Sequence, residues 1–122
     1  MKKVPGVKPL HWVGSSKKDL MSMPKNVIDE FGFALFLAQT GQKHPQAKPL
    51  AGFGAADILE VVESDADGTF RAIYTVRFPS AVYVLHCFQK KSHKGIATPK
   101  QDSDLIRQRL RQIELQHKGI KR

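Results

Sequence analysis

Three apolar segments, at residues 57–63, 69–78 and 81–89, follow one another with only tight connections between them. The stretch ESDADGTF places Asp67-Gly68 between the first two, where a hairpin turn needs a residue at positive φ. Pro79-Ser80 separates the second from the third. Connections this short predict an antiparallel meander of three strands. The last segment contains VYVLHCF, which is apolar on both faces and reads as a central strand.

The flanks read differently. LHWVG at residues 10–14 predicts a short strand, and residues 1–7 a flexible tail. Ser16 with Asp19 is an N-cap pair for a short helix over 17–22. Pro24 fits the first turn of a second helix, which runs to about Thr40 and is closed by Gly41. Val27, Ile28, Phe31, Ala34, Leu35 and Ala38 form one apolar stripe on it, and Phe33, Phe36 and Leu37 lie off that stripe. Such a helix is either sandwiched between a helix and the sheet, the commoner arrangement, or leaves a patch for a partner. Residues 42–54, with Pro45, Pro49, Gly52 and Gly54, read as a loop. Thr98 and Gln101 form a capping box around Pro99, opening a last helix to about His117 with Ile106, Leu110 and Ile113 on its apolar face. Residues 118–122 are a basic tail. The expected order is β-α-α-β-β-β-α, a single α+β domain over 1–122 with a small antiparallel sheet, an N-terminal helical pair and a C-terminal helix.

Charge is divided unevenly along this order. Residues 1–70 hold eight Lys/Arg and eight Asp/Glu; residues 71–122 hold twelve against three, which accounts for the whole net charge of +9. A polyanion partner, nucleic acid above all, follows from that asymmetry. No apolar run approaches the ~20 residues needed to cross a bilayer. A single cysteine, Cys87, excludes a disulfide framework and a Cys-based zinc site, so a reducing, cytoplasmic setting is the expectation.

Strict alternation sets Arg71, Ile73, Thr75 and Arg77 on one face of the middle strand, with Phe70, Ala72, Tyr74, Val76 and Phe78 on the other. On the next strand Val82, Val84, His86 and Phe88 alternate with Tyr83, Leu85, Cys87 and Gln89. This pattern predicts helices on one side of the sheet and a partly open, cationic face on the other. Arg71 and Arg77 are its candidates; each could instead pair with an acid of a neighbouring strand, such as Glu60 or Glu63. Lys90, Lys91, His93 and Lys94 crowd the end of the last strand. His93, near neutrality in its titration, could shuttle protons. His86 has the surroundings of a satisfied buried histidine rather than a general base. His11, His44 and His117 show no metal-ligand spacing.

The segments KPLAGFGAADILEV (48–61), GTFRAIYTVRF (68–78) and VYVLHCFQKKSHKGIATPKQD (82–102) resemble the phage-derived HigB-like branch of the RelE/ParE toxin superfamily. The resemblance covers residues 8 to 115, and FRAIYTVRF followed by VLHCFQKKSHKGIATP is its most specific part. It implies the toxin of a type II toxin–antitoxin pair, a metal-independent endoribonuclease acting on messenger RNA at the ribosome, with no cofactor. A helix-turn-helix antitoxin would be its partner, with Phe33, Phe36 and Leu37 as a candidate docking surface. Catalysis would fall to Arg71, Lys90, Lys91, Arg77 and His93, and RNA or ribosome contact to Lys48, Lys94, Arg107 and Arg111. The chain lacks the tyrosine that RelE-like nucleases often carry near their end; Tyr74 and Tyr83 lie within strands, and the tail offers His117. Two other readings use the same fold and charge: a ParE-like toxin that inhibits DNA gyrase without cleaving anything, and a basic nucleic-acid-binding adaptor.

Overall fold

The computed structural model describes residues 6–90 and 98–119. They form β1 (Leu10–Trp12), α1 (Ser16–Met21), α2 (Lys25–Gln39), β2 (Lys48–Pro49), β3 (Ile58–Asp65), β4 (Gly68–Thr75), β5 (Val82–Lys90) and α3 (Lys100–Gly119). The strands make one sheet in the order β1-β5-β4-β3-β2. The meander β3-β4-β5 is antiparallel, as its short connections require. Two features depart from expectation. β1 runs parallel to β5, so the sheet is mixed rather than antiparallel. Lys48–Pro49, inside the expected loop, adds a fifth strand against Glu60 and Leu59. Two residues, one of them proline, carry no periodicity from which a strand could be read.

The turn chemistry is local. Asp67 N–H donates to Asp65 Oδ1 at 2.7 Å, and Gly68 has φ +136°. A Cβ on Gly68 would be strained at this φ and would stand 2.7 Å from Gln89 Nε2, displacing the amide that donates to Asp67 O. At the end of α2, Gln42 N–H reaches Leu37 O and Gly41 N–H reaches Ala38 O, with Gly41 at φ +82°. That is the Schellman closure expected of Gly41. The helix starts shift by a residue. Ser15, not Ser16, precedes α1 and bonds Asp19 through its hydroxyl, while Ser16 is buried with its hydroxyl donating to Val84 O. Pro24 is the N-cap of α2 rather than part of its first turn. α3 runs past His117 and takes Lys118 out of the expected tail.

Helices cover both faces of the sheet. On one, Leu20 of α1 and Val27, Phe31, Ala34, Leu35 and Ala38 of α2 pack on Leu59, Val61, Phe70, Ala72, Tyr74, Val84 and Cys87. On the other, Ile106, Leu110 and Ile113 of α3 pack on Ile58, Ile73 and Leu85. The expectation of helices on one side is therefore corrected: the last helix folds back over the cationic face. α2 is not sandwiched, and Phe33 and Phe36 are half exposed.

Alternation along β5 is also corrected. Ile73 lies opposite His86 but Tyr74 opposite Val84, so Leu85 is an extra residue, a β-bulge. Val84 and Cys87 then share the α2 side, and Tyr83, Leu85, His86, Phe88 and Lys90 the α3 side. Phe78 changes sides as well, since β4 ends at Thr75 and the chain turns Phe78 into the α3 cluster.

Candidate active site

Residues directly opposite in neighbouring strands project from the same face. Lys48 lies opposite Glu60, Glu60 opposite Ile73, and Ile73 opposite His86. One step along, Arg71 faces Phe88, and Thr69 faces Lys90. The register thus gathers Lys48, Glu60, Arg71, His86, Phe88 and Lys90 on the α3 side, across four strands. Four of them are buried ionisable groups: Glu60, Arg71, His86 and Lys90 are each less than a tenth exposed.

Arg71 Nη1 donates to Glu60 Oε2 at 2.6 Å. The pairing that its sequence neighbours offered is the one formed. Burying two charges costs several kcal/mol of desolvation each, so the pair is weak evidence for stability and better evidence of a fixed geometry. His86 Nε2 donates to Asp102 Oδ1 at 2.7 Å, which places a proton on Nε2; in the neutral ring Nδ1 is then the acceptor. Buried Nδ1 makes no hydrogen bond, and the ring stacks on Phe88 with centroids 4.7 Å apart. A buried histidine aligned by a carboxylate, with an acceptor nitrogen in hand, is suited to taking a proton. The sequence reading of a buried, bonded histidine holds, but its partner was not foreseen. The bulge that turns His86 to this side leaves no mark in the alternation, and Asp102 comes from the first turn of α3, 16 residues further on.

Other candidates separate from this cluster. Arg77 lies beyond the end of β4 and braces two elements, bonding Asp57 with Nε and Nη2 and Glu114 of α3 with Nη1. Those bonds, Asp57 first, raise its pKa further above the ordinary arginine value. Its place is a clamp between the sheet's end and α3. Arg107 stacks over Phe53 at 4.1 Å and donates to Gly52 O. Arg111 is exposed on α3. Lys91, His93 and Lys94 lie outside the described residues. Cys87 is no nucleophile here: burial pushes its thiol up to about 12. Among the described residues no group of three His, Cys, Asp or Glu side chains could hold a metal ion. No described helix is long and apolar enough to cross a membrane.

Residues 18–111 match the family of phage-derived Gp49-like proteins, a span of most of the chain. The chain belongs to that family. The Gp49-like residues include the whole cluster, from Lys48 to Asp102. No curated protein sequence matches the chain. Among solved structures, a doubly substituted Escherichia coli toxin RelE in the free state is similar at TM-score 0.56 and 14% identity, covering 88% of this chain and 98% of that one. A chain of the Mycobacterium tuberculosis RelBE2 toxin–antitoxin complex gives 0.48 and 15%, covering 75% and 100%. The Gp49-like fold here is thus that of RelE-like toxins, an α+β fold whose described residues form a five-stranded mixed sheet and three helices.

Proposed function

We propose that the protein is the toxin of a toxin–antitoxin pair and acts as a metal-independent endoribonuclease on messenger RNA at the ribosome. The observation that carries the reading is the set of buried ionisable groups on one sheet face, three of them (Arg71, His86 and Lys90) in the basic half of a chain with a RelE-like fold. An apolar core has no use for them; a phosphodiester does.

Cleavage without metal needs three things. A base takes the proton of the ribose 2′-hydroxyl as its oxygen attacks the adjacent phosphorus. Cations stabilise the dianionic phosphorane. An acid protonates the departing 5′-oxygen, leaving a 2′,3′-cyclic phosphate. On this face Lys90 and Arg71 lie nearest the chemistry as cations, and Lys48, exposed on β2, extends the charge to the rim. His86, held by Asp102, is the candidate base. Lys91 and His93, next along the chain, complete the candidates for acid and phosphate contact, with Lys94, Arg107 and Arg111 on ribosomal RNA. Arg77, as a clamp, serves the site through α3.

A helix-turn-helix antitoxin is the proposed partner, and Phe33 and Phe36 of α2 its proposed foothold, since half-exposed phenylalanines on one helix suit a protein partner. Primer extension on mRNA from cells expressing the protein tests the central claim. Cuts at defined codon positions are expected. Growth arrest without such cuts would sink the nuclease reading and leave gyrase inhibition, which a supercoiling assay with purified gyrase detects.

A further inference from the structure

At the opposite end of β5 from Lys90, a second site is built from different materials. A cleft of about 300 Å³ opens between β1 and the C-terminal half of α3, lined by His11, Trp12, Tyr83, Gln112 and Gln116 among others. His11 stacks on Tyr83 with centroids 5.2 Å apart and planes 21° from parallel. Tyr83 in turn meets Phe78 and His117 edge-on, and its hydroxyl lies 3.2 Å from His117 Nε2. The rings are therefore pre-positioned in a partly exposed aromatic layer. Trp12, opposite Val84, turns its side chain to the α2-side core. On the facing wall Gln112 and Gln116 stand one helical turn apart, both exposed. The lining holds no carboxylate. Lys118 follows His117 at the helix end.

Each part has a match in one ligand class. Nucleobases stack on aromatic rings, at about 1–3 kcal/mol per base. Carboxamides offer the paired donor and acceptor that base edges present. The volume is at the small end of ligand sites, right for one base and its sugar rather than a larger molecule. Six residues of β5 lie between Tyr83 and Lys90 and four between Tyr83 and Phe88, the residue opposite Arg71, and the cleft lining shares no residue with the Arg71 cluster, so the two are distinct. We propose that it is a nucleobase-binding site, which takes one unpaired base of an RNA strand or a free ribonucleotide. The inference stands apart from the cleavage reading: a chain that cuts no RNA could still bind a base here.

His11 and Tyr83, whose stacked rings border the cleft, report on it directly. The experiment titrates the full chain with each of the four ribonucleoside 5′-monophosphates and, separately, with ribose 5-phosphate, following the ring NMR signals of His11 and Tyr83. A saturable change with at least one nucleotide and none with ribose 5-phosphate is expected. His11→Ala, at an exposed position, weakens that binding about tenfold, the loss of one stack. Gln112→Ala with Gln116→Ala changes which base is preferred. Absence of any saturable change up to millimolar nucleotide overturns the proposal. An equal response to ribose 5-phosphate does too, since it would make this a phosphate site, and so does unchanged affinity in His11→Ala.

Discussion

The two faces of the sheet are made by alternate residues of the same strands, yet they are filled in opposite ways. Toward α2 the strands present Leu59, Val61, Phe70, Ala72, Val84 and Cys87, an apolar surface that needs no partner chemistry. Toward α3 the same strands bury Glu60, Arg71, His86 and Lys90 beside Ile58, Ile73 and Leu85. Hydrophobic burial drives folding on both sides. Only the second side carries charges whose desolvation opposes it, and such groups are held in place where geometry matters more than stability. The contrast gives stability to the α2 side and, on the proposed function, chemistry to the α3 side, and each half of that division can be broken separately.

The largest effect falls on the Arg71–Glu60 pair. Arg71→Ala leaves Glu60 buried beside an empty position and costs about 3–5 kcal/mol, read from urea denaturation. That variant alone does not separate folding from activity. Replacing both partners, Arg71→Met with Glu60→Leu, returns stability to near the native value or above it, because neither charge is then buried. Toxicity in cells is nonetheless lost. Full toxicity in the stable double variant would show the pair to be structural, and the division between the faces would fall.

On the α2 side, alkali is the probe. Burial raises the Cys87 thiol from 9.0 and the Tyr74 hydroxyl from 10.0, each to about 12. Unfolded, both ionise at their ordinary values, so between about pH 9 and 12 the unfolded chain gives up protons that the folded chain keeps. Stability is whole below pH 9 and falls as pH climbs through that window, by roughly 1 kcal/mol per unit for each group. Cys87→Ala flattens the fall between 9 and 10, where Cys87 acts alone. Denaturation midpoints across that range measure it. At neutral pH Cys87 of the folded protein resists thiol reagents and reacts only on unfolding.

The third effect is at His86. Asp102→Ala strands the Nε2–H of a buried ring at a cost of about 1–3 kcal/mol. It also frees the ring to exchange tautomers, so mRNA cleavage falls more than stability accounts for. Asp102→Asn keeps an acceptor and recovers most of the stability without the carboxylate's alignment. Single-turnover cleavage beside denaturation curves separates the two. If Asp102→Asn cleaves at the native rate, the carboxylate is only a structural partner.

What could be seen in the sequence follows what is local. The meander was visible because turn residues and apolar runs lie side by side, and Gly41 because helix closure is a local event. Glu60 was visible as a partner for Arg71 because adjacent strands of a meander must place nearby residues together. The parallel pairing of β1 was not, since three residues paired 72 positions away depend on where the whole sheet leaves an edge. Nor was the bulge at Leu85, which one apolar residue more or less in an apolar run cannot announce. That slip sets His86 beside Leu85 on the α3 side, where it is the buried histidine its apolar neighbours announced, with a partner, Asp102, that they did not. The cleft at His11 was invisible for a similar reason: β1 is some 70 residues from Tyr83 and about 100 from Gln112 and Gln116 in the chain, and meets them only when it joins the sheet.

The smallest effect tests whether the α2 face is as apolar as its neighbours suggest. Tyr74 is fully buried there, and its hydroxyl has no hydrogen-bond partner. A buried donor without an acceptor costs about 1–3 kcal/mol against water, and deleting one oxygen leaves too small a void to cancel that gain. Tyr74→Phe therefore raises stability by about 1 kcal/mol, seen as a higher urea midpoint at unchanged slope. It also removes the Tyr74 share of the alkaline loss above pH 10, leaving toxicity as it was. A lower midpoint would mean that the hydroxyl is satisfied in solution, by an enclosed water for example. The α2 face would then hold a polar interaction of its own, and the division between a stabilising face and a functional one would be a matter of degree.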